Sequence, residues 1–301
     1  MSIVKKISSL FNKDESQSTI GVTLCNESLS ACSIDDKNNA NCQRLPILDS
    51  QFSQALTSLN SEFNYNGACH LVLSGKHSHI VQVDAPNVPE EELVEALKWQ
   101  VKDLVTIEPE DMALDYYDGP ELAGGAKKLN VVVADKNLLA PIINTLVNES
   151  FKPESIIIEE FAFANLVEQS DDAVLLLCQQ PNEEMLMLIV KNGQLFFQRR
   201  LRGMAEIGNR SEDQLMMGTI DSLSLEIQRS SDYFERQLKQ APIRRIEVLV
   251  PIEKEAFLAR KLAENSNVPV NLFALPEQFN ADRDFAACLG AALSTHVEGV
   301  S

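Results

Sequence analysis

Apolar positions along the chain fall into short runs separated by polar turns, and two stretches follow the same plan. From Thr19, TIGVTLC, LSACSI and CQRLPIL predict three strands joined by NES and DDKNNAN. AVLLLCQQPNEEMLMLIVKNGQLFFQRRL, residues 173–201, predicts the same meander again, a repeat of architecture and not of letters. After the first meander, Phe52, Leu56 and Leu59 recur at helical spacing behind Ser50 as a cap. CHLVLSG and HIVQVDA then read as strands. Pro89 opens a helix whose first turn is Glu90, Glu91 and Glu92, where acids suit the helix dipole. Leu93, Leu97, Val101 and Leu104 form its expected inward stripe.

EPEDMALDYYDG reads as a loop and a short strand, KLNVVVAD as a buried strand, NLLAPIINTLVNE as a helix, SIIIEE as a strand and EFAFANLVEQ as a helix. In the second half a long helix follows the meander, opened by a Ser211/Gln214 capping box and broken near Gly218. Strand RRIEVLVP, helix EKEAFLARKLAEN, strand VPVNLF and the small-residue helix FAACLGAALS complete the chain. Two halves, each a meander followed by helices and further strands, predict a duplicated α/β fold of the kind built in actin and hexokinase. The expected division is a flexible tail at 1–18, a first half at 19–170 and a second half at 171–301. The C-terminal helix, 282–294, is expected to pack back on the first half.

Composition narrows the functions. Lys plus Arg number 26 and Asp plus Glu 44, giving a formal net charge of −18 over 301 residues. That argues against nucleic acid as the main partner, since binding it rests on neutralising phosphates. No apolar run approaches the ~20 residues of a membrane span. MSIVKKISSLFNK does not read as a signal peptide, because Lys5, Lys6, Ser8 and Ser9 interrupt its apolar positions. Residues 1–13 read either as a frayed end or as a short amphipathic contact with an inner-membrane surface. Six scattered cysteines without a CxxC pair argue against zinc and against a disulfide framework. His70, His77 and His79 lack further ligands, and the pair around Ser78 reads as a strand edge.

Several segments, in order over about Thr19 to Leu293, carry a resemblance. EELVEALKWQVKDLVTIEPEDMALDYYDG, KLNVVVADKNLLAPIINTLVNESFKPESIIIEEFAFANLVEQ, LSLEIQRSSDYFERQ and FAACLGAAL are similar to successive blocks of the PilM family of type IV pilus assembly proteins. Within that family the chain most resembles the type serving the MSHA pilus. The resemblance implies an actin-like fold with ribonuclease H-like halves and a subdomain inserted at about 86–165. It also implies a cytoplasmic place at the face of the inner membrane, a partner in the N-terminal tail of a PilN-like membrane protein, and other pilus assembly proteins around it. Candidate groove residues are Trp99, Tyr116, Tyr117 and Phe161. Trp99 reads equally as a core residue, and of the consecutive tyrosines one is expected to face in and one out.

The family pattern also implies Mg-ATP, held by an acid and a glycine in each of two hairpin turns and by a glycine-rich third turn. The chain departs from it at all three. The first turn offers Thr23 and Cys25, the second Cys178, Gln179, Gln180 and Pro181, and the third Pro251, Ile252 and Glu253. Asp35 and Asp36 are close enough to the first turn to stand as an objection, though they lie after the second strand. The expectation is a non-catalytic pseudo-ATPase without cofactor or metal. The alternatives are a working ATP-binding switch, or a GspL-like cytoplasmic domain of a type II secretion system, which would continue into a membrane span. Arg199, Arg200 and Arg202 read either as a contact for an acidic partner or as a solvated strand end. No GxSxG, HExxH or Walker A run points to another enzyme.

Overall fold

The computed structural model describes residues 19–35, 39–47, 51–63, 65, 67–119, 127–279 and 281–296. The lipid contact considered for residues 1–13, and Asp36, lie outside the described residues.

The first lobe runs β1 (Thr19–Leu24), β2 (Ser28–Ile34), β3 (Ala40–Pro46), α1 (Phe52–Phe63), β4 (Gly67–Leu73), β5 (His79–Asp84), α2 (Glu90–Val101), β6 (Met112–Asp118), β7 (Lys128–Asp135), α3 (Lys136–Asn148), β8 (Phe151–Ile158) and α4 (Glu159–Ala164). The second runs β9 (Val174–Cys178), β10 (Met185–Lys191), β11 (Gln194–Leu201), α5 (Ile220–Arg236), β12 (Arg245–Leu249), α6 (Glu255–Glu264), β13 (Val270–Leu272) and α7 (Ala286–Ala292). The sheet orders are β3-β2-β1-β4-β8 and β11-β10-β9-β12-β13, so each lobe has an antiparallel meander extended by two parallel strands. β1, β9 and β10 are buried almost throughout, which is why they read as continuous apolar runs.

A third sheet, β5-β7-β6, stands apart and is covered by α2 through Leu97 and Val101. It spans 79–135, earlier than the expected 86–165. β5 pairs with β7, while α3 packs under the first sheet through Leu139, Ile142 and Leu146, and β8 joins that sheet beside β4. Two further expectations are corrected. Leu104 is 59% exposed, because α2 ends at Val101 and the following turn carries Leu104 outward. Cys32 and Cys42 form a disulfide, since the β2–β3 register sets them opposite each other. The other four cysteines are free and buried. The expected break at Gly218 is a kink, where Met217 (ψ 49°) and Gly218 (φ 103°) leave helical geometry.

The lobes share one core. Cys32, Val72 and Phe163 of the first lobe, Leu176, Leu188 and Leu249 of the second, and the six residues of α7 other than Gly290 lie in a single buried cluster. α7 enters it because its sequence, AACLGAA, presents little beyond methyl groups. A Cβ on Gly290 would lie 1.9 Å from the carbonyl oxygen of Ala162, and one on Gly21 would lie 1.9 Å from that of Cys288. Both contacts are with backbone, which cannot step aside cheaply. Gly290→Ala should therefore destabilise by about 2–3 kcal/mol in urea unfolding, although alanine is the better helix former by about 1 kcal/mol. A stabilised variant would refute the close packing of α7 on α4.

Candidate functional site

The positions expected to have lost a nucleotide lie where the lobes meet. The β1–β2 turn carries Cys25 and Asn26, and the β9–β10 turn carries Gln179, Gln180 and Glu183. The turns are bonded to each other: the Cys25 thiol donates to Gln180 Oε1 (3.2 Å), and the Asn26 amide donates to the Glu183 carboxylate. Lys76 also donates to the Asn26 side chain. Thr23 and Cys178 are fully buried beneath. Gln179 turns away from the cleft and donates to the carbonyls of Glu183 and Met204 (2.7 and 2.9 Å). The third turn is filled from its own lobe. Glu255 accepts from the Val250 amide (2.6 Å) and from Arg283 (2.7 Å), while Ile252 beside Pro251 packs against the second-lobe core.

Beneath the two turns lies a charged cluster that local sequence did not indicate. Glu159 and Glu160 occupy the first turn of α4 with side chains 1% exposed, and Arg200 of β11 reaches both from the other lobe at 2.7 Å. Glu159 also accepts from the Gly75 amide (2.7 Å) and from Gln180. Burial pushes the Glu160 carboxyl up to about 7, helped by the Glu159 charge and opposed by Arg200. Burial likewise raises Glu183. Of the three arginines, then, Arg200 turns inward. Arg199 pairs with Glu226 and stacks on Phe197, and Arg202 is exposed. Among the described residues no three His, Cys, Asp or Glu side chains are grouped to hold a metal ion.

A second feature is open. β8 ends the first sheet and β6 ends the third, and an apolar groove of about 280 Å³ runs between them. Leu139 and Ile143 of α3 line it together with Ile156 of β8 and Val132 of β7. Tyr116, Tyr117 and Phe161 also line it, so three of the four candidate partner residues come together. Both tyrosines are half-buried; Tyr116 packs against the core that α2 covers, while Tyr117 turns to Phe161. The Tyr117 ring meets Phe161 edge-on with centroids 4.9 Å apart, and its hydroxyl is buried without a protein partner. Trp99 is elsewhere, on the outer face of α2, 57% exposed with the Lys102 ammonium over its ring, neither in the groove nor in a core. No helix among the described residues is long and apolar enough to cross a membrane.

No protein-family model matches the chain, and no curated protein is similar to it in sequence. Solved structures are similar in shape. A PilM–PilN type IV pilus biogenesis complex matches with a TM-score of 0.67 and 17% identity, over 92% of this chain and 98% of that one. A Bacteroides thetaiotaomicron protein with an actin-like ATPase fold and unknown function matches at 0.53 and 10% identity, over 98% and 99%. The cytoplasmic domain of EpsL, an inner membrane component of the Vibrio cholerae type II secretion system, gives 0.49 and 14% identity, over 83% and 94%. At that score the EpsL likeness decides nothing. The first two establish the fold as actin-like, a two-lobed α/β arrangement.

The cluster generates a pH dependence. Glu160 holds its proton more tightly folded than unfolded, so its contribution to stability is present at low pH and lost as pH rises through about 7. The groups facing it are Glu159 on its own helix, Arg200 from β11 and Tyr117 from β6. Between about pH 5 and about pH 8 the thermal midpoint should fall in the parent protein and fall less in Glu160→Gln. Identical slopes would mean that Glu160 ionises normally.

Proposed function

We propose that this chain is a non-catalytic actin-like scaffold of a type IV pilus assembly platform of the MSHA type. It works on the cytoplasmic face of the inner membrane, where it receives the N-terminal tail of a PilN-like membrane protein among other pilus assembly proteins. The observation that carries the reading is the groove: two sheet edges face each other across an apolar floor. An extended tail laid there can pair its backbone with one open edge while alternate side chains enter the floor at Leu139, Ile143 and Ile156. That a structure of the same fold is a complex of PilM with PilN supports a PilN-like partner for this chain.

The inter-lobe cleft supports the non-catalytic part of the reading. A nucleotide phosphate placed there would have to part the Cys25–Gln180 and Asn26–Glu183 bonds. It would then face Glu183 together with Glu159 and Glu160, whose one shared arginine is already engaged. Glu183, which joins the two turns, is committed to the Asn26 amide, and Glu159 beneath them to Gly75, Gln180 and Arg200. These residues do not fit Mg-ATP, and no step of the proposed function passes through it.

Calorimetric titration tests both parts. The synthetic N-terminal peptide of the membrane partner should bind, and Mg-ATP should give no binding heat. Tyr116→Ala should weaken the peptide by roughly 2 kcal/mol, about 30-fold, as expected for an aromatic anchor. Trp99→Ala should leave affinity unchanged because Trp99 lies off the groove. Full affinity in Tyr116→Ala would remove the groove as the site, and saturable Mg-ATP binding would remove the non-catalytic reading.

A further inference from the structure

Phe161 enters the groove as the third residue of α4, a helix of only six residues. The two residues before it are Glu159 and Glu160, both taken out of water. Two adjacent buried carboxylates do not hold their place unaided. They repel each other, and each has lost its hydration. Arg200 answers both at once, Nη1 on Glu159 and Nη2 on Glu160, in the forked geometry that guanidinium allows and ammonium does not. Its path is cleared by Gly75, where a Cβ would stand 2.0 Å from the guanidinium carbon. The Gly75 amide and the Gln180 amide then fill the remaining positions on Glu159. The first turn of α4 is therefore anchored largely from the other lobe, by Arg200 of β11 and Gln180 of the β9–β10 turn.

We infer that Arg200 is a positioning residue for the groove: by bridging Glu159 and Glu160 from the second lobe, it sets where Phe161 stands against Tyr117. Closure of the lobes and affinity for an apolar tail are then one coupled property. The inference rests on the groove being the tail site, as proposed above. Because coupling is reciprocal, a bound tail tightens the contact between the lobes in turn.

Arg200→Met alone leaves two buried carboxylates uncompensated and can fail to fold. The informative variant is Glu159→Gln/Glu160→Gln/Arg200→Met, which keeps the shapes and removes the charges. It should unfold at a midpoint close to the parent's and bind the tail peptide about tenfold more weakly. Amide exchange over residues 161–166 should be correspondingly faster, and the radius of gyration in solution scattering larger. Tyr116→Ala is the control: it loses affinity with unchanged exchange and unchanged radius. A triple variant with parental affinity and parental exchange would overturn the inference. If the parent itself does not bind the peptide, the proposed function falls. Exchange at 161–166 and the radius still decide whether Arg200 positions α4.

Discussion

The arrangement of the whole molecule depends on how closely α7 can approach its neighbours. Its seven residues are all buried, and at Gly21 and Gly290 backbone meets backbone with no room for a methyl group. That contact brings β2, β4 and α4 of the first lobe onto the same core as β9, β10 and β12 of the second. The lobes are one cooperative unit because the apolar surface that stabilises each is shared, not merely adjacent. Once the sheets are held at this separation, the two hairpin turns above them have no distance left to cross, and their side chains bond directly.

Above that core the meeting of the lobes is polar and largely buried. Removing a carboxylate from water costs several kcal/mol, and a single well-placed guanidinium offsets much of this only when its geometry is good. Here one arginine serves two acids, with two backbone or amide donors completing Glu159. The Glu160 oxygen left without a partner marks where compensation is incomplete, consistent with a carboxyl held up at about 7. Such a layer favours one relative placement of the lobes more than it adds stability, because sliding either lobe would strand a charge.

Much of the fold was legible in the residues because buried strands and amphipathic helices leave local patterns. The two meanders, the kink at Gly218, the capping box at Ser211 and the small-residue helix all came from spacing or composition. What could not be read was non-local pairing. The start of the inserted sheet at β5 depends on β5 choosing β7, and the return of the chain depends on β8 choosing β4. The Cys32–Cys42 disulfide follows from hairpin register, which nine intervening residues do not announce. Tyr116, Tyr117 and Phe161 could be singled out as aromatics but not as neighbours, and nothing local separated Trp99 from them. Arg200 sits in QRRLRG with two similar arginines. Its role was invisible because its acids lie forty residues earlier, in a stretch whose Glu-Glu pair was read as the end of a strand.

The open edges of β6 and β8 also govern how copies of the chain behave toward one another. Backbone unpaired among the described residues, beside an apolar floor, will accept any extended segment, including one from an identical molecule. The guarding here is chemical rather than steric. Pro153 lacks an amide hydrogen, Glu154 sits at the register shift where β8 departs from even pairing, and Asp115 adds charge on the opposite wall. Behind them stands a net charge of −18 that keeps molecules apart. Repulsion of that kind is set by the ionic medium, with a reach of about 8 Å at physiological salt and about 3 Å at 1 M. The colloidal stability of the chain with an empty groove is therefore a property of its solvent, greatest in dilute buffer and eroded by salt.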